Sequence, residues 1–267
     1  MRKVFFSIND PDYRSYNKSQ IYFKKKDIYI NKGLLSKKIK TFYNSYFKFK
    51  KSELPFVSAK FAVSKDFYSI NKKKKWITNI YSRGRVHLIR YHHDCILTSV
   101  KTLIKDNSKL NCRIDGLDKY SPARIVLDKN LTIPNKSFIV KSAKKYTTII
   151  FFNKINKKKM NYLKNSKIKL LQHTLNKDGE FNLKSILMKL KNLGFSRILL
   201  ESGLNLTDNF LNNNLVDEFY LFISNKKLGK YGEGSFKKSI KSYFKNKKPL
   251  AKKVNLFGDK LFFYRLK

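Results

Sequence analysis

The sequence predicts an α/β fold, and two observations carry that prediction. Short runs of β-branched and aromatic residues alternate along the chain with segments in which apolar residues recur at helical spacing. The chain has 267 residues, 42% of them hydrophobic, which is enough to fill the core of one large domain or two small ones. This composition excludes a fully disordered or collagen-like chain.

Nine segments have the composition and length of strands, and their number suits a single sheet. They are residues 56–63, 95–100, 123–127, 147–152, 167–172, 197–200, 218–223, 254–257 and 260–265. The last two are joined at Gly258 and Asp259, a pair that favours a tight turn.

Helical spacing predicts four helices, and lysine-rich stretches predict two loops. The helices are residues 79–91, 156–164, 183–193 and 206–214. The third repeats leucine and isoleucine every three or four residues and is followed by Gly194 as a C-terminal cap, so we expect it to pack on the sheet. Segments 71–75 and 226–253 lack periodicity and are predicted to be solvated loops, the second with a flap at its glycines 229, 232 and 234.

The charge balance suggests a nucleic-acid or anionic membrane partner, but the type of basic residue argues against it. The formal net charge is +42, and only nine of the 60 basic residues are arginines. Specific readers of nucleic acid use the arginine fork and cluster their charge on one face, whereas these lysines run from Lys3 to Lys267. We attribute the lysines to an AT-rich genome and expect no specific nucleic-acid partner.

Location and redox state follow from three features of the chain. Cys95 and Cys112 are too few for a disulfide framework, and the N-terminus lacks a signal sequence. No stretch approaches eighteen uncharged apolar residues. We therefore expect a cytoplasmic protein without a membrane partner.

Several kinds of chemistry lack their sequence signature. His92, His93 and Cys95 lie close together, but adjacent histidines on an extended segment diverge, so no metal site is predicted. A nucleophile elbow, a dinucleotide-binding glycine motif and a phosphate-binding loop are all missing from the sequence. What remains is a small set of carboxylates near predicted strand ends, where open α/β sheets bind ligands: Asp66, Asp106, Asp128 and Glu201.

A series of separated motifs makes a family resemblance visible. They are PFVSAKFAVSKD (55–66), KWIT (75–78), RGRVHLIR (83–90), TSVKT (98–102), Asp106, LNCR (110–113), RIVLD (124–128), LESG (200–203) and LVDE (215–218). In this order and spacing they resemble the reductase domain of the bifunctional riboflavin-biosynthesis deaminase-reductase, the RibD family. The resemblance covers residues 54 to about 229.

The resemblance implies a dihydrofolate-reductase-like fold, whose mostly parallel sheet is flanked by helices. It also implies NADPH as the hydride donor and 5-amino-6-(5-phosphoribosylamino)uracil as the substrate, which is reduced to the ribitylamino product. The expected partners are this small phosphorylated pyrimidine and a second copy in a homodimer. Residues 54–267 would form the reductase domain.

The resemblance also assigns residues. Cofactor contacts fall on Ala62, Trp76, Thr102, Asp106, Gly203, Leu204, Asn205, Leu206 and Thr207. Substrate contacts fall on Arg90, Leu110, Arg113 and Glu201. Asp66 and Glu201 are the candidates for catalytic help at the sugar, and either could supply a proton.

Physical chemistry is compatible with these assignments and leaves alternatives open. The forked donors of Arg90 and Arg113 suit a phosphate and a planar pyrimidine, although an arginine is also a common partner in a surface ion pair. Gly203 before a helix offers backbone donors to a cofactor phosphate, or forms an ordinary turn. Trp76 is either a wall of the cofactor site or a buried anchor, Thr102 and Asp106 could cap a short helix, and Glu201 could interact with a helix dipole.

Several positions depart from the family pattern, among them Lys74 and Lys129, where the family often has serine. The family usually reads Ser-Leu-Asp-Gly followed by a basic residue, whereas this chain has Phe67 and Tyr68 at the last two positions. Asp208 would bring a carboxylate close to a cofactor phosphate and repel it. The departure at residues 66–68 and the net charge of +42 leave a rival function, a catalytically impaired basic binding protein that keeps the fold. A pterin reductase, as in dihydrofolate reductase itself, is a further alternative.

Residues 1–53 resemble the tail of the deaminase half that precedes the reductase in this family. The family's deaminase zinc site uses His-Ala-Glu and Pro-Cys-x-x-Cys elements, and neither occurs before Lys51. We therefore expect no deamination by this polypeptide. The chain is then part of a longer gene product, a genuine fragment, or the partner of a separate deaminase.

Overall fold

The structure of the protein is a computed structural model that describes residues 2–251 and 254–267. The chain divides into two compact units, one made of Met1–Phe56 with Leu187–Ser196 and the other of Val57–Ile186 with Arg197–Lys267. The division lies close to the predicted boundary between residues 53 and 54, but the sequence does not suggest that Leu187–Ser196 belongs to the first unit.

The N-terminal segment contains two short strands and three short helices. They are β1 (Lys3–Phe6), α1 (Lys18–Lys25), β2 (Tyr29–Lys32), α2 (Ser36–Phe42) and α3 (Asn44–Lys51). β1 and β2 pair in parallel and form a two-stranded sheet of their own.

The remaining elements alternate strand and helix along most of the chain. They are β3 (Phe56–Val63), β4 (Tyr68–Asn71), α4 (Ile80–Tyr91), β5 (Cys95–Ser99), α5 (Val100–Asp106), β6 (Ala123–Leu127), α6 (Phe138–Lys141), β7 (Thr148–Phe152), α7 (Lys157–Asn165), β8 (Lys169–Gln172), α8 (Leu183–Asn192), β9 (Arg197–Leu200), α9 (Leu204–Asn212), β10 (Glu218–Ile223), β11 (Gly232–Ser235), α10 (Lys237–Phe244), β12 (Leu250–Ala251) and β13 (Lys260–Arg265).

Nine of these strands form one sheet in the order β12-β13-β10-β3-β9-β5-β6-β7-β8. The pairs β10–β3, β9–β5, β5–β6, β6–β7 and β7–β8 are parallel, and β13 is antiparallel to both of its neighbours. Every residue of β6 and β7 is buried, as expected for parallel strands covered on both faces. The predicted α/β class with a mostly parallel sheet is confirmed.

Eight of the nine predicted strands and all four predicted helices are present, but residues 254–257 do not form a strand. The side chain of Asn255 accepts a hydrogen bond from the backbone N–H of Phe257 at 3.0 Å, and Phe257 has a left-handed backbone (φ 50°). This local turn prevents an extended conformation. The strand that pairs with this part of β13 is β12 instead.

The loop predicted for residues 226–253 is also wrong over most of its length. It contains β11, α10 and β12, while Lys252 and Lys253 lie outside the described residues. Helix α10 forms because Phe236 and Phe244, 0% and 5% exposed, pack with Phe219 of β10. The glycines predicted to form a flap fall partly within β11, which pairs with β4. Residues 72–75 are exposed and irregular, as predicted.

The two residues that replace the family's glycine and basic residue have defined structural roles. Phe67 closes a tight turn in which its N–H donates to the carbonyl of Ser64, and its backbone is left-handed (φ 67°). Tyr68 begins β4, and its ring lies so close to Gly232 of β11 that a Cβ at residue 232 would meet it at 2.3 Å. The turn has the left-handed backbone conformation that glycine adopts easily. A residue with a side chain, such as Phe67, is strained in that conformation.

None of the helices formed by the described residues is long and apolar enough to cross a lipid bilayer.

Backbone strain at Phe67 is testable by comparing two substitutions. Phe67→Gly and Phe67→Ala both remove the ring, but only glycine removes the penalty of the left-handed conformation. We expect the glycine variant to be more stable by about 1 kcal/mol, measured by urea unfolding. Equal stabilities of the two variants would show that this turn is not strained.

Candidate active site

A buried ion pair joins helix α4 to the end of strand β9. The Nε of Arg90 donates to Oε1 of Glu201 at 2.6 Å, and Nη2 donates to Oε2 at 2.9 Å. The two side chains are only 11% and 9% exposed. Burial alone would raise the pKa of Glu201, but the Arg90 guanidinium outweighs it and lowers this pKa to about 2. Both groups are therefore charged at neutral pH.

Asn111 connects this ion pair to the second predicted substrate arginine. Its backbone carbonyl accepts a hydrogen bond from Nη1 of Arg90 at 3.0 Å. Its side-chain oxygen accepts one from Nη1 of Arg113 at 2.7 Å, and its amide donates to the hydroxyl of Tyr146 at 3.2 Å. Asn111 is itself buried, so one residue orients both guanidinium groups. We refer to Arg90, Glu201, Asn111 and Arg113 as the arginine–glutamate cluster.

The two predicted arginines differ in how much of each is accessible. The guanidinium of Arg90 donates hydrogen bonds to Glu201 and Asn111. Arg90 therefore forms an ion pair, as the alternative interpretation expected, but this ion pair is buried and does not lie at the surface. Arg113 is exposed and held through a single nitrogen. Leu110, the third predicted substrate residue, is 3% exposed and has a left-handed backbone (φ 49°). Of these residues, Arg113 has the donors that a ligand can reach.

Two ionisable residues beside the cluster were missed by the sequence analysis. His87 of α4 places Nδ1 3.1 Å from the Asn111 carbonyl, and burial together with Arg90 and Arg113 lowers its pKa to about 4. Lys60 lies in β3, and burial lowers the pKa of its ammonium group, partly offset by the negative charge of Glu201. Lys60 carries a recognisable signal, because it is an ionisable residue inside an apolar strand.

Two of the predicted cofactor residues, Thr102 and Gly203, meet beyond the carboxyl ends of β5 and β9, which are adjacent parallel strands. The N–H of Gly203 donates to the hydroxyl of Thr102 at 3.1 Å, and that hydroxyl also lies 3.1 Å from Oγ of Ser99. Helix α9 then begins at Leu204 without a side-chain cap, so the first amides of this helix, at Leu204, Asn205 and Leu206, are available to a ligand. We refer to Thr102 with Gly203–Thr207 as the α9 turn.

Two side chains of the α9 turn and its helix are directed to protein partners. Thr207 is buried and its hydroxyl lies 3.2 Å from Oγ of Ser202, so the side chain supports the turn from within. Asp208 accepts a hydrogen bond from Ser239 of α10 at 2.7 Å. The carboxylate that the sequence suggested would repel a cofactor phosphate is therefore held by α10.

Asp66 has a structural role in this structure. Its carboxylate accepts hydrogen bonds from Oγ of Ser64 at 2.6 Å and from the backbone N–H groups of Leu228 and Gly229 at 3.0 and 2.8 Å. Burial would raise its pKa, but these donors outweigh burial and lower the pKa to about 2. The lowered pKa values favour the ionised form of both Asp66 and Glu201 at neutral pH, and the catalytic role expected of these two residues stays a prediction.

The other predicted residues occupy less defined positions. Ala62 is half-buried near the end of β3, and Asp106 is the exposed last residue of α5. Trp76 is 56% exposed, with the guanidinium of Arg83 4.9 Å from its ring centre, so the buried-anchor alternative does not hold. Their contacts with a cofactor stay predictions.

The residues considered for a metal site are separated by their packing. Cys95 is fully buried in β5, and Nδ1 of His93 lies 2.6 Å from the carbonyl of Ile89. Within residues 2–251 and 254–267, no group of three or more His, Cys, Asp or Glu side chains could hold a metal ion.

The architecture is that of a ligand-binding α/β domain. Its sheet is mostly parallel, and charged side chains and an uncapped helix lie beyond the carboxyl ends of adjacent strands. Residues 55–254 match the family model of the RibD C-terminal domain, and the chain belongs to that family. The resemblance found in the sequence is thereby confirmed.

Two of the relatives with similar sequences are longer than this chain, and a third is shorter. The riboflavin biosynthesis protein RibD of Aquifex aeolicus is 28% identical over 263 residues, which are 98% of this chain and 71% of the relative. The chain spans 61% of the RibD protein of Actinobacillus pleuropneumoniae. The 5-amino-6-(5-phosphoribosylamino)uracil reductase of Buchnera aphidicola (subsp. Acyrthosiphon pisum) is 28% identical over 60% of this chain and 79% of its own length.

Solved structures show the same fold. RibD of Acinetobacter baumannii superposes with a TM-score of 0.81 at 20% identity, over 99% of this chain and 72% of its own. A deaminase/5-amino-6-(5-phosphoribosylamino)uracil reductase from Thermotoga maritima has a TM-score of 0.79 at 22% identity, over 99% and 71%. The riboflavin biosynthesis reductase of Saccharomyces cerevisiae has 0.61 at 18%, over 85% and 98%. These likenesses confirm the predicted fold class.

The buried ion pair leads to a prediction about stability. Glu201→Gln leaves the Arg90 guanidinium buried without its counter-charge, so we expect a loss of about 3 kcal/mol of unfolding free energy at pH 7. A carboxyl whose pKa is lowered in the folded state stabilises the fold fully at pH values above its ordinary pKa of 4.5. That contribution disappears as the pH falls towards 2. The difference between wild type and variant should therefore shrink over this range.

Urea unfolding at several pH values measures this difference. The matched control is Glu180→Gln, because Glu180 forms an ion pair with Lys129 but is 59% exposed, and we expect its removal to cost less than about 1 kcal/mol. Equal effects of the two substitutions would contradict the importance given to the Arg90–Glu201 pair.

Proposed function

We propose that this chain is an NADPH-dependent reductase of 5-amino-6-(5-phosphoribosylamino)uracil that forms the ribitylamino product. The observation that carries the proposal is the arrangement of the arginine–glutamate cluster beside the α9 turn. Glu201 and Gly203 are two residues apart at the end of the same strand, so a substrate and a cofactor bound to these groups would be neighbours. The names of the related proteins supply the identity of the substrate.

The substrate side combines fixed charge with accessible donors. Arg113 is anchored by Asn111 through one nitrogen, which leaves the rest of its fork for the phosphate of the substrate. Lys60 adds a partly desolvated ammonium group whose electrostatic neighbours include Glu201 and Asp106. The Glu201 carboxylate accepts hydrogen bonds, so it suits the hydroxyl or amino groups of the ribosylamine.

The cofactor side fits a dinucleotide. The uncapped amides at the start of α9 suit an anionic pyrophosphate, and the bond between Thr102 and Gly203 fixes the backbone that presents them. A Cβ at residue 203 would meet Thr102 only at 3.7 Å, so packing within the chain does not by itself demand glycine there. The close approach of a ligand to the backbone is a reason for a glycine at this position.

The chemistry divides between the cofactor and the chain. NADPH supplies a hydride when it is bound. The residues of the chain bind the phosphate, orient the ribosylamine and keep the two ligands in register. Reduction also requires a proton, and Asp66 and Glu201 are ionised while His87 is neutral at pH 7. Burial lowers the pKa of two cations near Glu201, Lys60 and Arg113. A guanidinium stays protonated in proteins, so Lys60 is our candidate for releasing a proton.

Several expectations from the sequence are also part of this proposal. They are the cytoplasmic location, the homodimer, a separate deaminase and the specific preference for NADPH. Two observations argue against the alternative hypothesis that the chain is a catalytically impaired binding protein. The Asp208 carboxylate is hydrogen-bonded to Ser239, and Phe67 adopts a left-handed turn conformation.

Turnover by the purified chain tests the function. We expect NADPH to be oxidised in proportion to the pyrimidine substrate, with a lower kcat/KM for NADH. Consumption of NADPH with dihydrofolate instead would establish a pterin reductase. Salt-sensitive retention on nucleic acid without any turnover would establish a binding protein that has lost catalysis.

Substitution of Arg113 tests the assignment of the phosphate site. Arg113→Met removes charge-assisted hydrogen bonds, so we expect the KM for the pyrimidine to rise about tenfold or more, with a small change in the KM for NADPH. Arg265→Met is the matched control, because Arg265 is an exposed arginine at the end of β13. A similar effect of both substitutions would show that only overall charge matters.

A further inference from the structure

A fully buried arginine of strand β6 is held by neutral groups. Arg124 is 0% exposed, and burial lowers the pKa of its guanidinium to about 10, so it stays charged at neutral pH. Its hydrogen-bond acceptors are hydroxyl and carbonyl oxygens rather than a carboxylate. A buried cation is destabilising unless its donors are matched, and in Arg124 these donors are matched by groups of one neighbouring segment, residues 139–148.

The donors of Arg124 fix the segment that leads into β7. Its Nη1 donates to the hydroxyl of Ser142 at 2.8 Å, and its Nη2 donates to the carbonyls of Ile139 and Tyr146 at 3.1 and 3.2 Å. The guanidinium also lies 5.1 Å from the ring centre of Tyr146, within the range of a cation–π contact. Arg124 therefore holds both the backbone and the ring of Tyr146.

The hydroxyl of Tyr146 reaches the arginine–glutamate cluster. It accepts a hydrogen bond from the side-chain NH2 group of Asn111 at 3.2 Å. The oxygen of the same side chain accepts one from Nη1 of Arg113 at 2.7 Å. A guanidinium only donates hydrogen bonds, so the Asn111 oxygen faces Arg113 and its NH2 group faces Tyr146. The two contacts thus determine the orientation of the Asn111 amide.

The guanidinium of Arg113 depends on this amide for its position. Arg113 is exposed, and the described residues provide it with one hydrogen bond, to Asn111. A long side chain held at one point loses rotamer freedom when it binds a ligand, and this loss lowers affinity. Because Tyr146 fixes the Asn111 amide on its other side, fewer positions are open to Arg113 before a ligand binds.

We propose that Tyr146 is a positioning residue of the substrate site. It orients Arg113 through Asn111 for the phosphate of the substrate, and this inference rests on the function proposed above. The backbone of Asn111 is held separately, because its carbonyl accepts from Nη1 of Arg90 at 3.0 Å. Loss of the Tyr146 hydroxyl therefore frees the Asn111 side chain and leaves the loop in place.

Removal of one hydroxyl tests the proposal without disturbing the packing. Tyr146→Phe keeps the ring beside Arg124 and removes the acceptor of the Asn111 amide, so we expect the KM for the pyrimidine to rise about fivefold. kcat and the KM for NADPH should stay within about twofold. The matched control is Tyr162→Phe, at a tyrosine of α7 that is 44% exposed, and there all three values should stay within about twofold.

A double-mutant cycle separates positioning from general support of the fold. In an Arg113→Met background the Tyr146 hydroxyl has no guanidinium to orient, so Tyr146→Phe should change kcat/KM by less than about 1.5-fold. A residue that only stabilises the fold would have the same effect in both backgrounds.

Phosphate binding tests the proposal independently of turnover. Inorganic phosphate is titrated into the full chain labelled with nitrogen-15, and binding is followed at the Nε–H signal of Arg113, which is identified by its loss in Arg113→Met. We expect Tyr146→Phe to raise the Kd for phosphate about fivefold and Tyr162→Phe to leave it within about twofold. Weaker phosphate binding by Tyr146→Phe in a chain that does not reduce the pyrimidine would support the positioning role and contradict the proposed function.

Two results would overturn the proposal. One is normal turnover by Tyr146→Phe with an unchanged KM for the pyrimidine and an unchanged Kd for phosphate, which would leave the proposed function intact. The other is an equal effect of Tyr146→Phe with and without Arg113, which would assign Tyr146 to the stability of the fold.

Discussion

The ion pair between Arg90 and Glu201 is the constraint on which the candidate site depends. Each group is buried, and each would be destabilising in that position without the other. Because Arg90 lies on α4 and Glu201 follows β9, the pair fixes this helix to the carboxyl end of the sheet. The α9 turn begins two residues after Glu201, so the same contact sets the position of the predicted cofactor site.

Asn111 extends this constraint to the exposed side of the site. Its carbonyl and side chain bind both arginines, while its amide contacts Tyr146. A buried residue thus orients an exposed guanidinium, which lowers the entropy that Arg113 would lose on binding a ligand. The two arginines of the cluster differ in role: Arg90 neutralises Glu201, and the exposed Arg113 is the one that we propose for the substrate.

The departures from the family pattern are accommodated locally. Phe67 keeps the left-handed turn that glycine would form more easily, and Tyr68 packs on Gly232 of the neighbouring strand. Asp66 is held by this same region, through the backbone of Leu228 and Gly229. The replaced residues therefore lie in a turn and in β4, while the arginine–glutamate cluster and the α9 turn are formed by other residues. The N-terminal segment follows a different principle, since polar contacts shape it and its apolar residues face solvent.

Local patterns were enough to locate most strands and helices, because an apolar run bounded by turn residues is visible from residues that are adjacent in the sequence. They failed where few apolar residues carry a helix, as in α10, and where a strand needs a distant partner, as in β4 with β11. The motifs likewise identified Arg90, Arg113, Glu201 and Gly203 in order. Three features of the site depend on packing. Arg90 bonds Glu201 across 111 residues, and Lys60 lies near this pair. Asp66 and Glu201 are both ionised. Charge pairing and burial arise only when distant segments meet, so composition and spacing cannot encode them.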